Sequence, residues 1–173
     1  MTKIAFVFGL LAVATLLISY AQKRRGPILI CSLLSRAFGI TQYILLGAFE
    51  GALLDICHAV SAFFAQRSDD RLIKKFKILF LIATNLFTIA SGIWLYRNPF
   101  SLLPMFAVLL QANALWLKNE KYIRLLSLAG CPLWFTFNLT SDAYAACIGE
   151  GLAMVTLIAA IVKYDVCGKK KEE

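Results

Sequence analysis

Seven apolar runs, each close to the length needed to cross a bilayer, are separated by short loops that alternate in charge, and this alternation constrains the chain more than any single motif. The runs cover roughly residues 4 to 20, 28 to 47, 51 to 66, 77 to 96, 99 to 117, 122 to 139 and 143 to 163. In a chain of 173 residues they leave no room for a soluble domain. Composition agrees: 60% of the residues are hydrophobic and the mean hydropathy is +0.74, more apolar side chain than a soluble core of this size can hide. The fold class expected is all-α integral membrane, with seven transmembrane helices in a single domain.

The loops orient the helices. Lys23, Arg24 and Arg25 follow the first run, Arg67, Arg71, Lys74, Lys75 and Lys77 the third, Lys118, Lys121 and Arg124 the fifth, and Lys163, Lys169, Lys170 and Lys171 the seventh. If every run spans, these fifteen of the 18 basic residues share one side, while Lys3, Arg97, Glu50 and Asp142 lie on the other. Basic loops stay cytoplasmic, so the expected topology is N-terminus outside and C-terminus cytoplasmic. Aromatic residues give the same ends, with Tyr20, Trp116, Tyr122 and Tyr164 at the cytoplasmic interface and Tyr43, Trp94, Tyr96 and Tyr144 at the outer one. A cleaved signal peptide over residues 1–21 is disfavoured, because cleavage there would leave Lys23, Arg24 and Arg25 outside.

The net charge of +8 therefore reads as a topology signal, and no nucleic-acid partner is expected. Cys31, Cys57, Cys131, Cys147 and Cys167 are scattered without ligand spacing, so no metal or cofactor is expected and they read as small packing residues. No hydrolase, nucleotide-binding or dinucleotide motif is present, which argues against an enzyme. Pro27 and Pro99 stand at helix starts, whereas Pro104 and Pro132 read as interior kinks. Residues 66–77 form a basic amphipathic segment that reads as a retention signal or a lipid-surface segment.

The charge rhythm runs outer, basic, acidic outer, basic, and then repeats. A shift of 95 residues pairs Ile28 with Ile123, Ser32 with Ser127, Leu33 with Leu128, Thr41 with Thr136, Ala48 with Ala143 and Asp55 with Glu150. Two parallel three-helix repeats are expected, repeat one in 1–66 and repeat two in 99–165, joined by a linker helix over 77–96 and followed by a basic tail at 166–173. Such repeats are a transporter architecture with the site between them. The three-plus-one-plus-three plan is similar to that of the SWEET sugar transporters and PnuC-type vitamin-precursor transporters, although their Pro-Gln motif is absent.

Leu45-Leu46-Gly47, Gly51-Ala52, Asp55, His58, Asn98-Pro99, Leu102-Leu103-Pro104, Trp116, Ile123-Arg124, Trp134, Asn138 and Glu150-Gly151 occur in an order and spacing that resemble the YgjV family of bacterial inner-membrane proteins. The resemblance covers roughly residues 25 to 163 and implies a multi-pass inner-membrane protein without implying a reaction. Where it implies an Asn and an Arg three residues apart in the third helix, this chain carries Asp55 and His58.

Ionisable groups within spans are costly unless paired or facing water. Arg36, Asp55, His58 and Glu150 are such groups. Asp55 and His58, three apart, share a helical face. Arg36 lies about five residues deeper, roughly 7 to 8 Å of rise, a gap its long side chain spans, so an Arg36–Asp55 ion pair is expected with Glu150 competing for the arginine. Two carboxylates and one arginine leave a negative charge over, which suits a proton or another cation. Asn113, Trp134 and Asn138 are expected to contact a solute, whereas Asn85 and Gln111 read as hydrogen-bonded helix glue. The expected function is a carrier of a small polar solute by alternating access; the alternative is a non-transporting scaffold or accessory subunit. The bilayer is the partner expected in either case, with a homo-oligomer also compatible.

Overall fold

A computed structural model describes residues 3–21, 25–68, 70–117 and 119–166. Every regular element among them is helical: α1 (Lys3–Ala21), α2 (Arg25–Leu46), α3 (Phe49–Gln66), α4 (Arg71–Lys75), α5 (Lys77–Trp94), α6 (Leu103–Ala114), α7 (Glu120–Thr140) and α8 (Tyr144–Ala160). A 3-10 turn at Pro99–Leu102 leads into α6, and a π-helical turn at Ile161–Val166 continues α8. Two of these helical stretches, Lys77–Trp94 and Tyr144–Asp165, are long and apolar enough to cross a membrane. Lys23, Arg24, Lys118 and the tail from Cys167 onward lie outside the described residues, as do the side chains of Tyr20, Arg25 and Ser32.

Six helices close into a ring in the order α1, α2, α3, α6, α7, α8, with α8 returning to α1. Helix α5 packs outside the ring against α3 and α6. Polarity is inverted relative to a water-soluble bundle. Ile78, Leu79, Leu86, Trp94 and Val155 are between 61% and 81% exposed, while Gln42, Ser61, Thr88 and Asn138 are buried. Arg67, Arg71, Lys74 and Lys75 gather around α4, where Ile73 packs against Ala65 and Trp116; this segment is anchored on the protein by that side chain.

The turns from α2 to α3 and from α7 to α8 are built alike. Gly47 (φ 72°) and Asp142 (φ 55°) are both left-handed. The next residues, Ala48 (φ −86°, ψ 63°) and Ala143 (φ −86°, ψ 55°), each donate a backbone hydrogen bond of 2.9 Å, to the carbonyls of Tyr43 and Asn138. A Cβ on Gly47 would meet nothing within 4 Å, so the cost of Gly47→Ala is conformational alone, about 1 kcal/mol. Gly47→Asn should cost less, because Asn tolerates this region. Melting in detergent that ranked Asn at or below Ala would contradict this account of the turn.

Three sequence readings change. Pro104 is not an interior kink: α6 starts only at Leu103, after a turn in which Ser101 N–H donates to Asn98 Oδ1 at 3.1 Å, so Pro104 occupies an early position that needs no intrahelical N–H. Tyr43 and Trp116 are not exposed belt residues but are packed inside the protein. Tyr43 is buried against Phe137 and Trp134, and Trp116 is buried with its indole N–H donating to Ser61 Oγ at 3.1 Å. Pro132 does lie inside α7.

Candidate functional site

Between the six helices of the ring lies a half-open cavity of about 410 Å³, lined by all six. Helical spacing explains which side chains turn inward. On α2, Arg36, Gly39, Gln42 and Tyr43 recur at three- to four-residue intervals; on α3, Asp55 and His58 do the same; on α7, Ser127, Cys131 and Trp134 follow one stripe. Glu150 enters from α8 and Gln111 from α6.

Arg36 Nη1 donates to Asp55 Oδ1 at 2.6 Å, the ion pair expected from the depths of the two residues. Arg36 Nη2 lies 3.4 Å from His58 Nε2. A guanidinium only donates, so Nε2 accepts, the imidazole is neutral and its proton sits on Nδ1. That nitrogen is buried without a partner among the described residues. Gly39 stands beside the pair, where a Cβ would come to 3.6 Å from Asp55 Oδ2.

Glu150 did not capture the arginine. Its carboxylate faces the Cys131 thiol and lies within electrostatic range of Asp55 and Arg36. Among the described residues it has no ion-pair partner.

Aromatic and amide groups form the rest of the wall. Trp134 stacks on Tyr43 (centroids 6.1 Å apart, planes at 19°) and donates its indole N–H to Gln111 Oε1 at 3.1 Å. Gln111 Nε2 in turn donates to the Ser127 carbonyl at 3.2 Å. Gln42 is 1% exposed; its oxygen lies 2.5 Å from where a Cβ on Gly9 of α1 would be, and its Nε2 has no partner among the described residues.

Five of the seven expected site residues thus share one cavity: Arg36, Asp55, His58, Trp134 and Glu150. Two do not. Asn113 faces α5, where it and Asn85 exchange hydrogen bonds of 2.8 and 2.9 Å, an amide pair that joins helices. Asn138 is covered by Tyr43, whose hydroxyl donates to its Oδ1 at 2.6 Å. Tyr43 covers one face of the Trp134 indole. Gln42, Tyr43 and Cys131 were not read as site residues, although Gln42 and Tyr43 follow Gly39, and Cys131 precedes Trp134, at three- to four-residue spacing. Among the described residues no three His, Cys, Asp or Glu side chains gather to hold a metal.

No curated protein and no solved structure matches the chain. A family model described as bacterial inner membrane protein matches residues 3–166, nearly the full length. The inverted polarity and the apolar stretches at Lys77–Trp94 and Tyr144–Asp165 are what such a description requires, and the chain belongs to this Imp-YgjV family.

Proposed function

We propose that the chain is a seven-span carrier of a small polar solute, in which two parallel three-helix repeats rock about the central cavity. The observation that carries this reading is the cavity itself: it lies between α1–α3 and α6–α8, and both units contribute ionisable groups to its lining, Arg36, Asp55 and His58 from the first and Glu150 from the second.

Packing supports the repeat. Replacing α1, α2 and α3 by α6, α7 and α8 maps every neighbour in the ring onto another, including the α1–α8 seam onto the α6–α3 seam. The two matching turns are offset by 95 residues, the same shift that pairs Asp55 with Glu150. Helices α1, α2, α3 and α7 have 19, 22, 18 and 21 residues, about 27 to 33 Å of rise, which matches the hydrocarbon thickness. Arg67, Arg71, Lys74, Lys75, Lys121, Arg124 and Lys163 fall at helix ends on the proposed cytoplasmic side, with Arg97 opposite. The closed Arg36–Asp55 pair also favours a second reading, a scaffold in which charges only join helices.

The full chain in detergent, melted against sugars, nucleosides, vitamins, amino acids and organic acids between pH 5 and 8, separates the two. A solute that binds only the folded state adds about 2.7 kcal/mol at a hundred times its Kd. A carrier gives a saturable rise with at least one solute class and uptake of that solute into vesicles. A flat panel from an intact fold assigns the scaffold instead.

A further inference from the structure

Charge inside the cavity does not balance. Arg36 and Asp55 neutralise each other at 2.6 Å, and His58 is neutral because it accepts from Arg36. Glu150 brings a second carboxylate to the same space with no counter-cation among the described residues. Around it stand Cys131 from α7, Cys147 one turn earlier on α8, and, across the cavity, Asp55, Arg36 and Tyr43. None of these beyond the committed Arg36 carries positive charge. A carboxylate in such a place is stabilised by a cation or by a proton.

Unmet donors narrow the choice. Gln42 Nε2 and His58 Nδ1 are buried, lie on residues that line the cavity and have no acceptor among the described residues. Each unmet donor costs about 1 to 3 kcal/mol, which an oxygen acceptor on a bound molecule removes. A bare metal cation would want several oxygen ligands, and no cluster of three candidate ligands is present among the described residues. An anion would face two carboxylates with one arginine between them.

We propose that the cavity takes a small protonated amine bearing neutral oxygen atoms, with its ammonium on Glu150 and an oxygen accepting from the Gln42 amide. This inference rests on the carrier reading above. Its volume, about 410 Å³, suits a solute the size of an amino alcohol or an amino sugar.

Matched pairs test it: ethanolamine against ethylene glycol, glucosamine against glucose, and gluconate as an anion, each titrated into the full chain in nanodiscs while melting is followed. An amine should raise the melting temperature saturably and bind about thirtyfold or more tightly than its neutral partner. Glu150→Gln should abolish that preference and Glu150→Asp should keep it, with helix content and elution volume confirming that both variants fold. Gln42→Leu should weaken the amine while leaving its preference over the neutral partner. Equal or better binding of the neutral or anionic member, or a preference that survives Glu150→Gln, overturns the amine assignment and leaves the carrier standing if the bound solute is taken up by vesicles. No amine shift, with melting that responds to pH alone and loses that response in Glu150→Gln, assigns the charge to a proton and overturns the inference.

Discussion

Arg36→Leu is expected to destabilise the fold by about 3 to 5 kcal/mol, the cost of leaving Asp55 buried without its partner. Asp55 is 9% exposed, and among the described residues its one ion-pair contact is the 2.6 Å bond to Arg36. Asp55→Leu should cost a comparable amount by stranding the guanidinium. The double variant Arg36→Leu/Asp55→Leu should recover most of the loss, because apolar side chains replace both charges and neither partner is left stranded. Melting of the three variants in one detergent measures the coupling directly. Equal losses in the single and double variants would mean that the pair contributes packing and no charge compensation. The double variant, once folded, also separates structure from function: a carrier should lose solute binding with the pair gone, whereas full transport in that variant would reduce the pair to helix glue.

The second large effect is expected at Gly51. A Cβ there would sit 2.6 Å from the Phe137 ring, 2% exposed, and 3.2 Å from Tyr43. Phe137 cannot retreat, since it packs edge-on against Trp134 and tilted against Tyr43, both at 6.1 Å. Gly51→Val should therefore cost about 3 kcal/mol, at the upper end for overpacking. Phe137→Ala opens space at the same spot, so Gly51→Val/Phe137→Ala should be more stable than the sum of the two single losses. Additive losses would show that the clash is relieved elsewhere, for example by a shift of α3.

Much of the fold was legible because apolar run length is a strong signal in lipid. Each of the seven runs corresponds to a helix whose ends fall within a few residues, and the Arg36–Asp55 contact followed from depth and side-chain reach alone. Charged groups in apolar runs point inward by necessity, so Glu150 and His58 could be read as well. Amides and tyrosines carry no such compulsion. Tyr43 stands three residues from the end of α2, a place that suits a membrane interface, but the tight Gly47-Ala48 turn and the side-chain-free Gly51 let Phe137 close over it. Asn113 and Asn138 were misassigned for the same reason: an amide is satisfied equally by a solute or by a neighbour, and only packing decides. Pro104 was misread because the capped turn that displaces the start of α6 depends on Asn98 and Ser101 acting together.

The position of α5 makes the two seams of the ring unequal. Along the α3–α6 seam it is fastened to both sides, by the Asn85–Asn113 amide pair, by Met105 filling the space over Gly92, and by Cys57 Sγ–H donating to Ser91 Oγ at 3.9 Å. Across the α1–α8 seam the contacts are of a different kind, with Gly9 against Ala145 and Val13 against Gly149, small surfaces that slide with little to break. The bundle is in this respect like a book, its spine at α5 and its free edge between α1 and α8. Any widening of the cavity would begin at that edge, and Glu150, on the helix that forms one side of it, would be among the first polar groups to meet whatever enters.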